Sequence, residues 1–403
     1  MALAKGVSKK TAYKKETTWG TLAGASGAKY LRRVTTGFNL KKETYESNEI
    51  RTDYQVADYR HGVRSAEGTL SGELSPGSYT DFMAAVVAKD FATVSAITAL
   101  TLSVAASGTL YTVTRSAGDW IVDGVRVGDV IALSGGSLNA ANVGNNIVVV
   151  SMTSTVLTVL CTSSTALFVQ AGVAGCTATI RGKTTLAPLT GHTDDSFTFE
   201  EWYSDITQSE VYTGNKVGSM AVKLPATGLV TVDFNFMGKN LEQTGTSQYF
   251  TTPTAAGTTG ICAAVSGALI VNGAAVAVVT SMDFTVERGL EAANVVGSNF
   301  AASVFTGRIK ATGNMSVYFQ DGVFRDLYNN ETVASVVVAL STDSSKTADV
   351  ITFTFPRVKL GSGSKNDGEM GIVQDSSFVA LLNTDTTAGL PATTIKVNDT
   401  AAP

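Results

Sequence analysis

One segment of this 403-residue chain occurs twice, and this duplication constrains the fold more than any other feature. Residues 62–83 read GVRSAEGTLSGELSPGSYTDFM, and residues 307–328 read GRIKATGNMSVYFQDGVFRDLY. At a constant separation of 245 residues the two copies share glycines, a serine and an aspartate as well as apolar positions. Any two amphipathic strands share apolar positions, so the glycines and polar residues carry the inference. We interpret the pair as an internal duplication; the alternative is two unrelated strand–turn–helix units.

The match extends on both sides of this segment. Upstream, at a separation of 244 residues, the matched pairs are Phe38 with Met282, Leu40 with Phe284, and Glu43 with Glu287. Downstream, SFTFEE at residues 196–201 resembles the alternating stretch at residues 351–355. We therefore expect each copy to contain several strands in addition to the duplicated segment.

The duplicated segment combines strand and helix signals. In GTLSGEL, Leu70 and Leu74 fall on one face of an alternating strand, with polar residues on the other. Beyond Pro76, apolar residues recur at steps of three and four, which indicates an amphipathic helix. These patterns predict an all-β protein with minor α content. Each copy would have a sheet with one apolar and one polar face, and one flanking helix.

Residues 92–187 have a different character. Short runs of Val, Ile, Leu and Thr alternate there with Gly, Asp and Asn, which predicts a small β-barrel or sandwich inserted into the first copy. The predicted organisation is an N-terminal arm at 1–30, a first copy at 31–91 and 188–242, the insertion at 92–187, a linker at 243–262 and a second copy at 263–395. For the Lys-rich arm, plain terminal disorder is an equal alternative.

Composition limits the classes of partner. Charged residues make up only 16% of the chain, against about 25% in an average soluble protein, so we expect neighbouring molecules to cover much of the surface. A net charge of −4 argues against a general nucleic-acid binder. No run of 18 apolar residues is present, so no membrane insertion is expected. The three cysteines, Cys161, Cys176 and Cys262, are predicted to be reduced, with a Cys161–Cys176 bridge as the minor alternative.

Catalytic signatures are missing from the sequence. The two histidines, His61 and His192, lie in polar, loop-like contexts, and neither a nucleophile triad nor a metal-ligand cluster is evident. The glycine-rich stretch at residues 361–371 lacks the lysine of a phosphate-binding loop. The stretch at residues 43–62, dense in charge and tyrosine, is interpreted as a contact loop between two strands. We expect no enzymatic activity, no cofactor and no bound metal.

Several stretches occur in an order typical of one family. They are AYKKETTWGT, TTGFNLKKETYESNEIR, GTLSGELSPGSYTDFM, GNKVGSMAVKLPATGLVTVDFNFMGK, SGALIVNGAAVAVVTSMDFTVERG and GRIKATGNMSVYF. On these stretches the chain resembles the major tail tube proteins of bacteriophages with long, flexible, non-contractile tails (siphophages). The resemblance covers both copies, roughly residues 1–90 and 188–390, and not the insertion.

The resemblance implies a fold and an assembly. Each copy would be a tail-tube-type β-sandwich with a flanking helix, so that the chain holds two in tandem plus the inserted domain. Sheets of neighbouring sandwiches would close around a lumen, and rings would stack into the virion's tail tube. Many relatives have one domain per chain and form hexamers. Two domains per chain therefore imply homotrimeric rings with pseudo-sixfold symmetry, and a true hexamer with the second copy outside is the alternative.

The resemblance also implies roles for particular residues. The polar strand face would line the lumen, where acidic and hydroxyl groups let DNA slide; the expected lumen residues are Thr69, Ser71, Glu73, Thr198, Glu200, Thr231, Asp233, Asn314, Ser316 and Thr354. The loop at 43–61, its counterpart at 287–305 and the arm at 5–19 would touch the adjacent ring; the expected contacts are Lys14, Glu16, Trp19, Glu46, Glu49, Arg51, Asp53, Tyr54, Asp58, Arg60 and Glu291.

The implied partners are other tail components. They are further copies of the chain, a tape measure protein in the lumen during assembly, the tail terminator and distal tail proteins, and double-stranded DNA that passes without specific binding. Synthesis would take place in the host bacterial cytoplasm, with the insertion on the tube exterior. Two other functions stay open: the inner tube of a contractile tail or injection machine, and a β-sandwich adhesin or carbohydrate-binding surface protein.

Overall fold

A computed structural model describes residues 3–276, 278–366, 369 and 371–403. The predicted glycine-rich stretch therefore lies partly outside the described residues, at 367, 368 and 370, as do residues 1 and 2 of the predicted arm. Two α-helices, α1 (Thr80–Val87) and α2 (Val323–Asn329), accompany the strands. In chain order the strands are β1 (Lys9–Lys15), β2 (Lys29–Tyr30), β3 (Thr35–Glu46), β4 (Tyr59–Glu73), β5 (Ile97–Ser107), β6 (Leu110–Arg115), β7 (Val130–Gly135), β8 (Ile147–Met152), β9 (Val156–Cys161), β10 (Gln170–Ile180), β11 (Lys183–Leu186), β12 (Phe197–Tyr203), β13 (Gln208–Leu224), β14 (Thr231–Gly238), β15 (Asn240–Gly245), β16 (Gly267–Val271), β17 (Ala274–Val276), β18 (Val279–Ala292), β19 (Val304–Tyr318), β20 (Ala334–Ser341), β21 (Val350–Leu360), β22 (Ser364–Lys365), β23 (Val373–Ala380) and β24 (Lys396–Asp399).

The fold is all-β with minor α, as predicted, and the strand pairing repeats. In the first copy the antiparallel pairs run β3–β4–β14–β13, and in the second they run β18–β19–β23–β21. A second set, β1–β12–β13–β15, has its counterpart in β16–β20–β21–β24. The long strands β13 and β21 each take part in both sets, so each copy is a two-layered sandwich, called sandwich 1 and sandwich 2 below.

Register corrects both the upstream and the downstream sequence matches. Phe38 lies opposite Gly68, and Phe284 lies opposite Gly313. Because those two glycines are equivalent, Phe38 corresponds to Phe284 and not to Met282. By the same register Leu40, opposite Ala66, corresponds to Val286, opposite Ala311, and not to Phe284. A Cβ at Gly68 would collide with the Phe38 ring, whereas a Cβ at Gly313 would collide with the ring of Phe378 on β23. Likewise SFTFEE forms β12, whose counterpart is β20, whereas the stretch at 351–355 belongs to β21. Alternation alone does not distinguish one strand of a sandwich from the next.

Aromatic rings fill the space between the layers. In sandwich 1, Phe38 stacks on Phe199 with centroids 4.3 Å apart, and Phe82 of α1 meets Phe236 at 5.4 Å. In sandwich 2, Phe284 and Phe355 meet at 5.1 Å. Burial of such large rings is the main stabilising term of each core.

The two sandwiches share one continuous sheet. Strand β13 lies at the edge of sandwich 1 in this sheet. Its last residues pair antiparallel with β18 of sandwich 2, from Ser219 opposite Glu287 to Leu224 opposite Met282. The resulting order is β3–β4–β14–β13–β18–β19–β23, with β22 and the end of β21 after β23; we call it the joined sheet. The duplicated units therefore lie side by side in one sheet.

The insertion forms a closed six-stranded barrel in the order β10–β5–β6–β9–β8–β7. The barrel is inserted in the sequence of sandwich 1, but it also packs on sandwich 2. Asp129 of the barrel and Lys396 of β24 form a buried ion pair, and Asn398 Oδ1 accepts a hydrogen bond from Val130 N at 2.8 Å. The barrel core also includes Val337 of β20. The barrel thus covers the back of sandwich 2, on the layer opposite the joined sheet.

The N-terminal region and the linker are both part of sandwich 1. Strand β1 pairs with β12 along its whole length, so residues 9–15 are not an arm. In the predicted linker, the backbone N–H groups of Tyr249 and Phe250 donate to the carboxylate of Glu200, at 2.5 and 2.9 Å. Phe250 is buried against Ala12 and Ala28. The connection between the copies is therefore anchored to the first sandwich.

Candidate functional site

The exposed face of the joined sheet is polar in both sandwiches. On it, Ser71 Oγ donates to Asp233 Oδ1 at 2.6 Å, and Ser316 Oγ donates to Asp375 Oδ1 at 2.5 Å. The two pairs occupy equivalent positions, because Ser71 lies opposite Asp233 on the neighbouring strand as Ser316 lies opposite Asp375. The duplication thus repeats a serine–aspartate pair on one side of the sheet.

The polar face continues across the joint between the sandwiches. Lys223 Nζ lies 3.1 Å from Asp233 Oδ2 and is paired in register with Asp283. Asp283 in turn accepts a hydrogen bond from Asn314 Nδ2 at 3.1 Å. A row of polar side chains therefore crosses the strands from sandwich 1 to sandwich 2 without an apolar break at the joint.

Carboxylates outnumber ammonium groups on this face. The acidic side chains are Glu67, Glu73, Asp233, Asp283, Glu287 and Asp375, and the lysines are Lys41, Lys223, Lys310 and Lys359. Lys41 is itself paired with Glu67 at 2.7 Å. A face with this balance repels a polyanion more than it binds it.

Seven of the ten residues predicted to line a lumen lie on the solvent side of the joined sheet, where Thr69 and Asn314 are exposed and the other five are half-buried. These seven lie on the polar face: Thr69, Ser71, Glu73, Thr231, Asp233, Asn314 and Ser316. The other three, Thr198, Glu200 and Thr354, are fully buried within the chain. Their prediction was wrong because β12 and the first half of β21 belong to the back layers, where both faces are covered.

The three buried residues, Thr198, Glu200 and Thr354, contact other parts of the same chain. Glu200 holds the linker, and Thr198 Oγ1 donates to Glu16 Oε1 at 2.9 Å. Thr354 faces the barrel at Gly128, which has φ +86° and where a Cβ would collide with the threonine hydroxyl. These three residues therefore organise contacts within the chain.

Two of the predicted ring contacts in the N-terminal region are also internal. The Glu16 carboxylate accepts four hydrogen bonds, from Gly20 N, Ser196 Oγ, Thr198 Oγ1 and Gly214 N, at 2.6–2.9 Å. The indole of Trp19 donates to Gly214 O at 3.0 Å. Glu16 is buried, so it does not present its charge to another ring. Lys14 is partly exposed and donates to the carbonyls of Gly24 and Ser26.

The eight predicted contacts outside the N-terminal region are exposed. They are Glu46, Glu49, Arg51, Asp53, Tyr54, Asp58, Arg60 and Glu291. Strands β3 and β4 extend beyond the sandwich as a long hairpin with a loop at 47–58, in which Ile50 and Tyr54 are almost wholly exposed. The counterpart loop at 293–303 lies beside it, with the Arg64 guanidinium 4.5 Å from the Phe300 ring centre. Both loops thus project from the same end of the joined sheet.

Equivalent surfaces of the two sandwiches differ in burial where sandwich 1 meets sandwich 2. Met83 of α1 is 1% exposed, but the equivalent Tyr328 of α2 is 42% exposed. Val230 is fully buried, whereas its equivalent Ile372 is 41% exposed. In α1 all residues but one are buried, while in α2 only Phe324 is. Sandwich 2 therefore presents an uncovered apolar surface where sandwich 1 is covered.

The described part of the chain was also searched for metal sites, membrane-spanning helices and disulfides. Among those residues no group of three or more His, Cys, Asp or Glu is arranged to hold a metal ion. No helix there is long and apolar enough to cross a membrane. Cys161, Cys176 and Cys262 are all free, so the alternative Cys161–Cys176 bridge is not formed. Burial raises the pKa of the Cys262 thiol to about 12.

Duplicated sandwiches joined edge to edge, with one polar face and an uncovered apolar end, define a two-sandwich β protein with a closed barrel insertion. The chain matches the family model of the phage tail tube protein over residues 6–388, and it therefore belongs to that family. No curated protein matches it.

Proposed function

We propose that three copies of this chain close into a ring of six sandwiches, and that rings stack into the tube of a phage tail. The observation that carries the proposal is the β13–β18 joint, which places two equivalent sandwiches side by side in one sheet. Sheet edges template further pairing, and a closed ring removes them. The hexamer alternative, with the second copy outside, is disfavoured because sandwich 2 continues the same sheet.

The joint within the chain supplies a register for the joint between chains. Ala221 of β13 lies opposite Thr285 of β18. Ser364 is equivalent to Ala221, since each pairs with an equivalent aspartate, Asp375 or Asp233. Asn39 is equivalent to Thr285 by its place in β3. We therefore propose that the edge at 361–366 pairs antiparallel with β3 of the next chain, with Ser364 opposite Asn39.

The polar face becomes the wall of the lumen in this ring. Double-stranded DNA carries about one negative charge per 1.7 Å of axis, and a wall rich in carboxylates and hydroxyls gives it no site to bind. We propose that the tube conducts the genome during ejection, after assembly around a tape measure protein and between terminator and distal tail proteins. Its place is the virion tail, after synthesis in the host cytoplasm, and its role is not enzymatic.

The projecting hairpins fit contacts between stacked rings. The loop at 47–58 carries the exposed Ile50 and Tyr54, whose burial against another ring would be favourable. The barrel would stand on the outside, because it packs on the layer opposite the polar face. A tube without a sheath is the form that we propose, in line with the non-contractile tails that the sequence resembles.

Disulfide trapping tests the lateral joint. Residues directly opposite on antiparallel strands have Cβ atoms about 4.5–5.5 Å apart, close enough for a disulfide after small shifts. A variant with Asn39→Cys and Ser364→Cys should give covalent species that stop at three chains on a non-reducing gel. Its control joins Asn39→Cys with Thr387→Cys in an exposed loop of sandwich 2 and should stay monomeric. A ladder that continues to six chains, or no linkage in assembled tubes, would refute the proposed ring.

A further inference from the structure

A short segment fastens sandwich 2 to sandwich 1. Cys262 N donates to Leu74 O at 2.8 Å, and Cys262 O accepts from Val230 N at 3.0 Å. Ala263 pairs with Leu229 in an isolated antiparallel bridge. Cys262 is fully buried in the core of sandwich 1. The residues that lead into sandwich 2 thus add an extra strand to the end of the preceding sandwich.

The same local structure precedes sandwich 1. A 3₁₀ turn, Gly6–Ser8, leads into β1, and a 3₁₀ turn, Ala264–Ser266, leads into β16. In the first turn Ser8 N donates to Lys5 O at 2.9 Å, and in the second Ser266 N donates to Ala263 O at 3.0 Å.

The central valines of the two turns, Val7 and Val265, are 99% and 92% exposed. Residues 3–6 are therefore the counterpart of residues 261–264, with Ala4 in the place of Cys262.

Among the described residues, the counterpart is not paired with the end of either sandwich in the way that Cys262 is. Leu3 is 81% exposed, and Ala4 is exposed as well. At the other end of the chain, the positions equivalent to Leu74 and Val230 are Phe319 and Ile372, and Ile372 is exposed. Phe319 N already donates to Ile372 O at 2.8 Å, as Leu74 N does to Val230 O. The receiving site is thus formed before any partner arrives.

We propose that residues 3–6 of each chain dock as an extra strand on sandwich 2 of the neighbouring copy in the same ring. Ala4 N donates to Phe319 O, Ile372 N donates to Ala4 O, and Lys5 lies opposite Gly371. The N–H of Lys5 remains free to keep its hydrogen bond to Asp205 Oδ2, because the bridge at Ala263 does not use the corresponding N–H. This contact rests on the proposed ring and adds a second fastening to each joint between chains.

Charge substitution at two neighbouring positions tests the docking. Ala4→Glu places a carboxylate where the equivalent Cys262 is fully buried, so the concentration of protein needed for ring formation should rise at least about tenfold. Val7→Glu is the matched control, because the equivalent Val265 stays exposed in the internal joint. It should change that concentration by less than about twofold. Sedimentation of the full chain measures both. Equal effects of the two substitutions, or none from either, would overturn the proposal.

A second disulfide separates this inference from the ring itself. In assembled protein, Lys5→Cys with Gly371→Cys should link neighbouring chains, up to three. If the Asn39–Ser364 pair links chains but the Lys5–Gly371 pair does not, the N-terminal segment docks elsewhere and the inference fails while the ring stands. If neither pair links chains, both proposals fail.

Discussion

Val230 and Ile372 occupy the same position in the two sandwiches, yet Val230 is fully buried and Ile372 is 41% exposed. Both carbonyls accept the same hydrogen bond, from Leu74 N and Phe319 N, both at 2.8 Å. The folds are therefore alike at this point, and the difference comes from what lies next to each. The segment around Cys262 that leads into sandwich 2 pairs with Val230, and we propose that the N-terminal segment of the next chain pairs with Ile372 in the same way.

The buried Glu16 should be important for stability rather than for contact between rings. Glu16→Gln replaces one acceptor oxygen with an NH₂ group that faces donors, including a backbone N–H of Gly20 or Gly214. We expect a loss of about 2–4 kcal/mol in the free energy of unfolding. The control, Glu49→Gln in the exposed loop, should change stability by less than about 0.5 kcal/mol. Urea unfolding of the unassembled chain measures both, and equal values would contradict this assignment.

The Asp129–Lys396 pair should hold the barrel against sandwich 2. Asp129→Ala leaves a buried ammonium without its partner, which destabilises by about 3–5 kcal/mol. The double variant Asp129→Leu, Lys396→Met removes both charges and should recover most of that loss. Hydrogen exchange at β24 and urea unfolding report the effect. A single variant as stable as the wild type would show that the barrel does not depend on this contact.

Asp399 should make the wild type less stable as pH rises. Burial raises its pKa from 3.8 to about 6, so the folded state favours the protonated acid. The contribution of this group is fully present below about pH 4 and is lost as pH rises through 6.

Relative to Asp399→Asn, the wild type should therefore lose stability between pH 4 and pH 7, by up to about 3 kcal/mol. Melting temperatures of both proteins across this range give the difference. A difference that stays constant, or that grows in favour of the wild type, would contradict the raised pKa.

Charge reversal on the polar face should make the proposed lumen wall bind DNA. Asp233→Lys with Asp375→Lys places lysines at equivalent positions of both sandwiches, and purified tubes should then retain DNA in a salt-dependent manner. Asp233→Asn with Asp375→Asn is the control and should not retain DNA. Gel retardation at two salt concentrations measures this. Retention by wild-type tubes would contradict a lumen lined by this face.

The sequence predicted the fold class from alternating strands and the repeat from matched glycines. For the insertion it left a barrel and a sandwich open, and the structure shows a closed barrel. The sequence did not separate the layers of each sandwich. The apolar and polar residues of FTFEE alternate, yet Thr198 and Glu200 are buried on β12, since the linker and Glu16 cover its second face. One signal in the sequence could have indicated this burial: Glu200 has no basic residue nearby in the sequence. Backbone N–H groups can stabilise such a carboxylate, as those of Tyr249 and Phe250 do here.

The N-terminal region was misjudged for a related reason. Its lysines suggested an extended arm, but Tyr13 and Ala12 between them are buried in β1. The counterpart of this strand, β16, is apolar and lacks those lysines, so the repeat at Gly6–Ser8 and Ala264–Ser266 is visible only through backbone geometry.

The rotational symmetry of the assembled ring distinguishes three chains per ring from six. Cryo-electron microscopy of purified tubes viewed end-on should show three chains per ring, with six sandwiches around the lumen and three barrels on the outside. Six chains per ring, with the second sandwich of each outside the wall, would contradict the proposed ring of three chains.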